Sequence, residues 1–264
     1  MEFVDTHCHL NHRDFDEDRD AVLERASTAN VRRLLVIGYD LASSRRAVEM
    51  AVTPSENAVS LYAVIGIHPE SAGEWDDEAK KTLQKLFAVA GGRVVAYGEI
   101  GLDYHWETIP RSRQQTVFLE QLAFAEALTR ALLPIVIHCR DAFDDVLTVL
   151  RESGTKAPIV MHCFTGDVAA ARACLDAGYY LGIGGVATFK KTDDVREAVA
   201  YAPIERLLLE TDCPYLAPQR WRGRRNEPSY LTSVAEIVAQ VKGLTIEEVA
   251  DITTTTASRL FGLG

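Results

Sequence analysis

Two histidines two residues apart, His7 and His9, follow the short apolar entry Phe3-Val4. On a β-strand the side-chain period of two puts them on one face, with Asp5 beside them. Two imidazoles on one face make half of a metal site, although an isolated H-x-H is common and carries little weight. The other half is available further along. His68, Glu99, Asp103, His138, His162, Glu210 and Asp212 each stand at or just beyond the end of an apolar run of strand length. One core histidine can be satisfied by a backbone carbonyl. So many imidazoles and carboxylates at one rim would need partners all at once, and an unpaired buried carboxylate is costly. Divalent cations meet both needs together. Imidazole plus carboxylate, without thiolate, suits Zn, Mn, Fe or Co and tolerates Mg. The donors are too many for one ion, and Glu99, from the middle of the chain, is the natural bridge between two.

The elements that must bring these residues together alternate along the chain. Strand candidates are Glu2–His7, Arg33–Gly38, Ser60–His68, Val94–Gly101, Leu133–His138, Pro158–His162, Tyr179–Gly184 and Leu207–Asp212. Their Leu, Ile, Val and Ala cores carry little internal polarity, as in parallel strands buried on both faces. Helix candidates separate them: Asp16–Asn30, Ser43–Val52, Asp76–Ala90, Ser112–Ala131, Ala142–Glu152, Asp167–Ala177, Asp193–Ala200 and Tyr230–Val241, with Ile246–Phe261 as a final addition. The longest carries Phe118, Leu122 and Ala125 on one stripe. Ser43, Ser112, Asp167 and Thr245 are candidate caps, the last with Glu248 three residues on. Eight βα repeats in one chain of 264 residues predict an α/β fold, a single-domain (β/α)8 TIM barrel over residues 1–264. An open doubly wound sheet is the alternative, but it would usually show a Gly-rich loop after its first strand, and none follows here. In a barrel the catalytic groups sit at the C-terminal strand ends, where the ionisable residues gather.

Bulk composition narrows the class. With 47% hydrophobic and 25% charged residues, the chain reads as an ordinary globular protein. Five cysteines, an odd number without C-x-x-C, make no disulfide framework. Cys8, Cys139 and Cys163 read as small buried thiols, which suits a reducing cytoplasmic location. Neither a signal peptide nor a membrane-length apolar run is expected. The formal net charge of −10 argues against non-specific coating of nucleic acid. It leaves room for an enzyme that holds phosphate with cations and a local basic loop.

Seven motifs then carry a resemblance: DTHCHL at Asp5–Leu10, GIHPE at Gly66–Glu70, GEIGLDY at Gly98–Tyr104, HCRDA at His138–Ala142, HCFTG at His162–Gly166, ETDCPYLAP at Glu210–Pro218 and RNEP at Arg225–Pro228. Together and in this order they resemble the TatD family of metal-dependent deoxyribonucleases, a branch of the amidohydrolase-like barrels. The resemblance implies two divalent cations (Zn, Mn or Mg). It implies that His7, His9, Glu99 and Asp212 hold one, and that Glu99, His138 and His162 hold the other. His68 and Glu210 match positions implicated in the active site. Two departures stand out: Asn11, where many members carry Asp, and His105-Trp106 after GLDY, in a variable loop. No lysine lies near the end of the fourth strand, which disfavours the barrels that bridge their metals through a carbamylated lysine.

The expected chemistry is phosphodiester hydrolysis by a cation-activated water. Asp212 is the expected base, with Glu210, two residues before it on the same strand face, assisting it or holding a histidine; a structural ion pair is the plain alternative for Glu210. His68 is an orienter, a phosphate contact or a well-bonded rim histidine. The basic loop Gln219–Asn226 follows the eighth strand. Its Arg222 and Arg224, beside Trp221, together with Arg140, are expected to pair with phosphate and help bases stack. Tyr104, His105 and Trp106 would form the opposing wall, and the plain alternative for the basic loop is a solvated segment around a packed tryptophan. The expected substrate is single-stranded DNA, cut as an exonuclease by a monomer without membrane contact. Competing readings are a D-aminoacyl-tRNA deacylase, or another ester or phosphodiester hydrolase on the same site, and a non-catalytic metal-bound module.

Overall fold

A computed structural model describes residues 1–53, 58–106, 108–129 and 132–264. The strands are β1 (Phe3–Cys8), β2 (Val31–Ile37), β3 (Ser60–Ile65), β4 (Val94–Asp103), β5 (Ile135–Arg140), β6 (Ile159–Met161), β7 (Tyr180–Ile183) and β8 (Leu207–Leu209). They pair in sequence order, and every ladder is parallel. The helices between them are α1 (Arg19–Thr28), α2 (Leu41–Val52), α3 (Asp77–Val89), α4 (Arg111–Leu128), α5 (Phe143–Ser153), α6 (Val168–Asp176), α7 (Asp193–Tyr201), α8 (Leu231–Lys242) and α9 (Ile246–Phe261). This is the expected (β/α)8 barrel. No helix among the described residues is long and apolar enough to cross a membrane.

Several boundaries move. The strand expected over Ser60–His68 stops at Ile65, and that over Leu207–Asp212 stops at Leu209, so His68, Glu210 and Asp212 lie on the segments that follow. The end of the helix expected over Ser112–Ala131 falls partly outside the described residues. Asp167 caps α6 by accepting from the Ala170 N–H, and Thr245 with Glu248 forms a capping box. Ser43 is the third residue of α2 in a box begun by Asp40, and α4 starts after Pro110 rather than at Ser112.

Alternate residues along the strands divide between two apolar layers. Val4, Leu35, Ile37, Tyr62, Val64, Val136, Val160 and Leu208 fill the barrel, where Ala257, Phe261 and Leu263 join them. Phe3, Leu34, Val36, Ile135, Ile137, Ile159 and Leu209 belong to the outer layer with the helices. Hence α9 plugs one end of the barrel and the polar residues occupy the other. His138, His162 and Glu210 each stand two residues beyond an inward-facing Val136, Val160 or Leu208, so the period of two carries them inward.

The seam between β8 and β1 is closed by hydrogen bonds just past the ends of the strands. The Asp212 N–H donates to His7 O at 2.8 Å and the His9 N–H to Cys213 O at 2.8 Å. Asp5 does not turn toward the cluster with His7 and His9. It accepts the Thr211 hydroxyl at 2.6 Å and the Thr211 N–H at 3.0 Å, sewing the first strand to the last.

Two buried glutamines on α4, seven residues apart and so on one helical face, pin backbone at the rim. Gln114 bonds both the N–H and the carbonyl of Asp103. Gln121 accepts from the Ile67 N–H at 3.0 Å, donates to Ile67 O at 2.8 Å and accepts from the Tyr97 hydroxyl at 2.9 Å. Each buried group left without a partner costs about 1–3 kcal/mol. Gln121→Leu should therefore lower stability by about 3 kcal/mol, read from the midpoint of urea unfolding. An unchanged midpoint would show that this glutamine is not holding the loop.

Candidate metal centre

Glu99 lies between two groups of imidazoles, and each of its oxygens serves one of them. Oε2 is 3.3 Å from His7 Nε2 and 3.9 Å from His9 Nε2. Oε1 is 2.7 Å from His162 Nε2, 2.8 Å from His138 Nδ1 and 3.8 Å from His68 Nε2. Asp212 Oδ1 completes the first group, 3.3 Å from His9 Nε2 and 3.7 Å from His7 Nε2. Donor atoms of His7, His9 and Asp212, and separately of His7, Glu99 and His162, lie within 4.8 Å of one another. A third grouping joins His68, Asp103 and His138. All the residues expected to bind metal therefore meet at one rim.

The strand that carries Glu99 needs its glycines. Gly98 and Gly101 hold φ of 149° and 145°, a region that side chains rarely enter. A Cβ on Gly101 would lie 2.0 Å from His138 O, and one on Gly98 would lie 2.6 Å from Val136 O. Without these side chains β4 lies close against β5, placing Glu99 beside His138.

Burial sets the electrostatics. Loss of water alone would raise the Glu99 carboxyl, but the neighbouring imidazoles, His162 and His7 first, hold it well below the usual carboxylate range. His162 would be driven down by burial, yet Glu99 and Glu210 keep it well above its ordinary value. His68 is pushed down to about 3 by burial and by the neighbouring His138. Asp212 stays below its usual value because contact with His9 and His7 outweighs its burial.

Both ring nitrogens of His7, His162 Nδ1 and Glu210 Oε2 are buried without a hydrogen-bond partner among the described residues. Orphaned polar atoms of this kind are costly in a folded interior. Nitrogen and oxygen donors converging on a shared carboxylate are the set a divalent cation would satisfy. The residues therefore fit such a group.

Glu210 and Asp212 part company, contrary to the shared strand face expected of them. The strand has already ended, and Asp212 adopts a left-handed backbone with φ of 57°. Glu210 Oε1 accepts the Cys163 N–H at 2.5 Å and lies 3.5 Å from His162 Nδ1, behind that imidazole. Asp103 has an equivalent place behind His138, with Oδ2 at 2.8 Å from Nε2. Its other oxygen accepts the N–H groups of His105 and Trp106. A carboxylate on the far nitrogen fixes the ring orientation of a ligating imidazole. A strand-end position and the GEIGLDY motif both bring Asp103 to the rim, but neither reveals its partner.

The cleft above the cluster has a volume of about 810 Å³ and is lined by His9, His68, Glu99, Arg140, Asp212 and Tyr215, among others. Of the residues expected to contact substrate, Arg140 and Trp106 line it. Tyr104 donates to Asp145 Oδ2 at 2.7 Å. The Arg222 guanidinium lies 4.3 Å from the Phe189 ring centre, and that of Arg224 lies 5.5 Å from Trp221. Trp221 itself stacks on Tyr230 at 4.4 Å, the packed arrangement weighed as the plain alternative. Cys139 and Cys163 are half-buried and also line the cleft, whereas Cys8 is fully buried as expected.

A parallel barrel with histidines and carboxylates gathered at the C-terminal rim is the architecture of a metal-dependent hydrolase. Residues 4–262 match the TatD related DNase family, and the chain belongs to it. It is 46% identical over 258 residues to YabD of Bacillus subtilis, named as an uncharacterised metal-dependent hydrolase, covering 97% of this chain and 98% of YabD. It is 36% identical to TatD of Erwinia amylovora, named as a 3'-5' ssDNA/RNA exonuclease, covering 98% and 99% of the two chains. The crystal structure of YjjV, a TatD homologue from Escherichia coli, superposes with a TM-score of 0.90 at 29% identity, covering 99% of this chain and 98% of YjjV.

Because Glu99 serves both groups of imidazoles, its removal should impair every cation position. In calorimetric titration of metal-stripped protein with manganese or zinc, Glu99→Ala should lose affinity at all sites, whereas His138→Ala should spare the His7–His9–Asp212 side. Native stoichiometry and affinity in Glu99→Ala would place the metal elsewhere.

Proposed function

We propose that this chain is a two-cation phosphodiesterase that shortens single-stranded DNA from an end. The observation that carries the reading is the division of Glu99, with one oxygen facing His7 and His9 and the other facing His138 and His162. A single bridging carboxylate between two imidazole groups is a natural holder for a pair of ions. The exonuclease name of the Erwinia relative supports nucleic acid as substrate.

In this reading His7, His9, Glu99 and Asp212 would hold one cation, and Glu99, His138 and His162 would hold the other. Bound together, the pair would lower the pKa of a water and stabilise charge on the phosphoryl oxygens. Asp212 is the residue that takes the proton. Its carboxyl, held below its usual value despite burial by contact with His9 and His7, lines the cleft. Glu210 and Asp103 orient His162 and His138 from behind. His68 remains neutral at the rim, its Nδ1 accepting the Glu70 N–H at 3.2 Å, which leaves Nε2 directed toward Glu99 and the cleft. It is placed to donate a hydrogen bond to a phosphoryl oxygen. Arg140 supplies a positive charge to the phosphate beside it. A monomer is the working unit in this reading, since each of these groups is placed on one chain. Five free cysteines accord with a reducing, cytoplasmic setting.

Labelled single-stranded DNA and D-aminoacyl-tRNA, each incubated with and without EDTA, separate the readings. Loss of DNA ends that stops with EDTA is the expected result; EDTA-sensitive deacylation alone would favour ester hydrolysis, and inertness toward both would favour a binding module. At saturating metal, Asp212→Asn should reduce kcat by about a hundredfold or more while the melting temperature holds. Near-native turnover would remove Asp212 from the role of base.

A further inference from the structure

Trp106, Tyr215 and Leu216 are three of nine large apolar side chains strongly exposed among the described residues, and all three line the cleft. Single exposed apolar side chains need no explanation, but aromatics gathered at the mouth of one cleft mark a binding surface.

Their exposure is enforced by the surrounding structure. Leu216 has φ of 53°, a left-handed backbone that a bulky residue adopts only when its surroundings impose it. The buried Asn226 amide donates to Tyr215 O at 2.6 Å and to Thr211 O at 2.7 Å, pinning the segment from both sides. Gly185 lies so near that a Cβ on it would stand 2.1 Å from Leu216 O. The Tyr215 ring meets those of His9 and His12 edge-on, at 6.0 and 5.9 Å, which sets it on the His9 side of the cluster.

Trp106 belongs to the His138 side. Its backbone N–H donates to Asp103 Oδ1 at 3.1 Å, so the carboxylate behind His138 also fixes the backbone that carries this indole. The Arg140 guanidinium lies 5.7 Å from the centre of its ring, an arrangement that leaves a cation beside an exposed aromatic face.

We propose that Trp106 and the Tyr215–Leu216 pair are nucleobase-contacting walls, receiving bases on either side of the phosphodiester held over Glu99. Every base has a π-face, so such contacts tolerate any sequence while requiring that a base be present. The assignment rests on the nuclease reading above and deepens it: the substrate is recognised as a base-bearing strand and not only as a phosphodiester.

The test compares kcat/KM for single-stranded DNA with that for a strand of equal length whose terminal nucleotides are abasic tetrahydrofuran residues. The native protein should favour the base-bearing strand. In Trp106→Ala and Tyr215→Ala that preference should fall about tenfold, and Trp106→Phe should restore most of it. A purely structural role would slow both strands alike and leave the ratio unchanged, which would overturn the assignment. So would a native protein with no preference. A native protein that cuts neither strand would refute the nuclease reading itself, a result distinct from cleavage without base preference.

Discussion

A carboxylate buried among five imidazoles is the constraint around which this molecule is arranged. Glu99 is 3% exposed, and His7, His9, His68, His138 and His162 all approach it within 4 Å. Charge in so dry a place must be compensated at close range, and compensation fixes geometry. The glycines on either side of Glu99 are part of the same requirement. They let β4 lie against β5 closely enough for the oxygen to reach His138 and His162.

The barrel supplies the convergence, but buried polar contacts supply the precision. Asp5 and Thr211 tie the first strand to the segment that carries Asp212. Gln114 and Gln121 fasten two loop backbones to one helix, and Asn226 does the same for the segment after β8. None of these side chains lines the cleft, yet each holds backbone at or beside a residue of the site. A scaffold built this way accepts the cost of desolvating polar groups in return for rigid donors and acceptors around the chemistry. The same rigidity keeps Tyr215 and Leu216 turned outward at the mouth.

Much of this was legible without coordinates. Apolar runs of strand length alternating with amphipathic segments specify a parallel barrel, because only strands covered on both faces can be so uniformly apolar. Ionisable residues at the ends of those runs specify the rim, and their donor types suit a metal ion. Period-two alternation placed His138 and His162 inward because their strands stay regular up to those residues. It failed for Asp5, where the β1–β2 register shifts, and for the face Asp212 was to share with Glu210, because Asp212 takes a left-handed backbone after β8 has ended. It also gave no warning that Arg222 and Arg224 would spend their guanidinium faces on Phe189 and Trp221.

What the sequence determined by itself was therefore the fold, the rim and the chemical character of the centre, since hydrophobic period and donor type are local properties that a chain carries wherever it goes. Tertiary structure alone decided which oxygen of Glu99 faces which histidines, that Asp103 and Glu210 lie behind imidazoles, and that Trp106 and Tyr215 share one cleft. Those are relations between side chains brought together from distant positions, and their distances exist only after the strands have closed around the core.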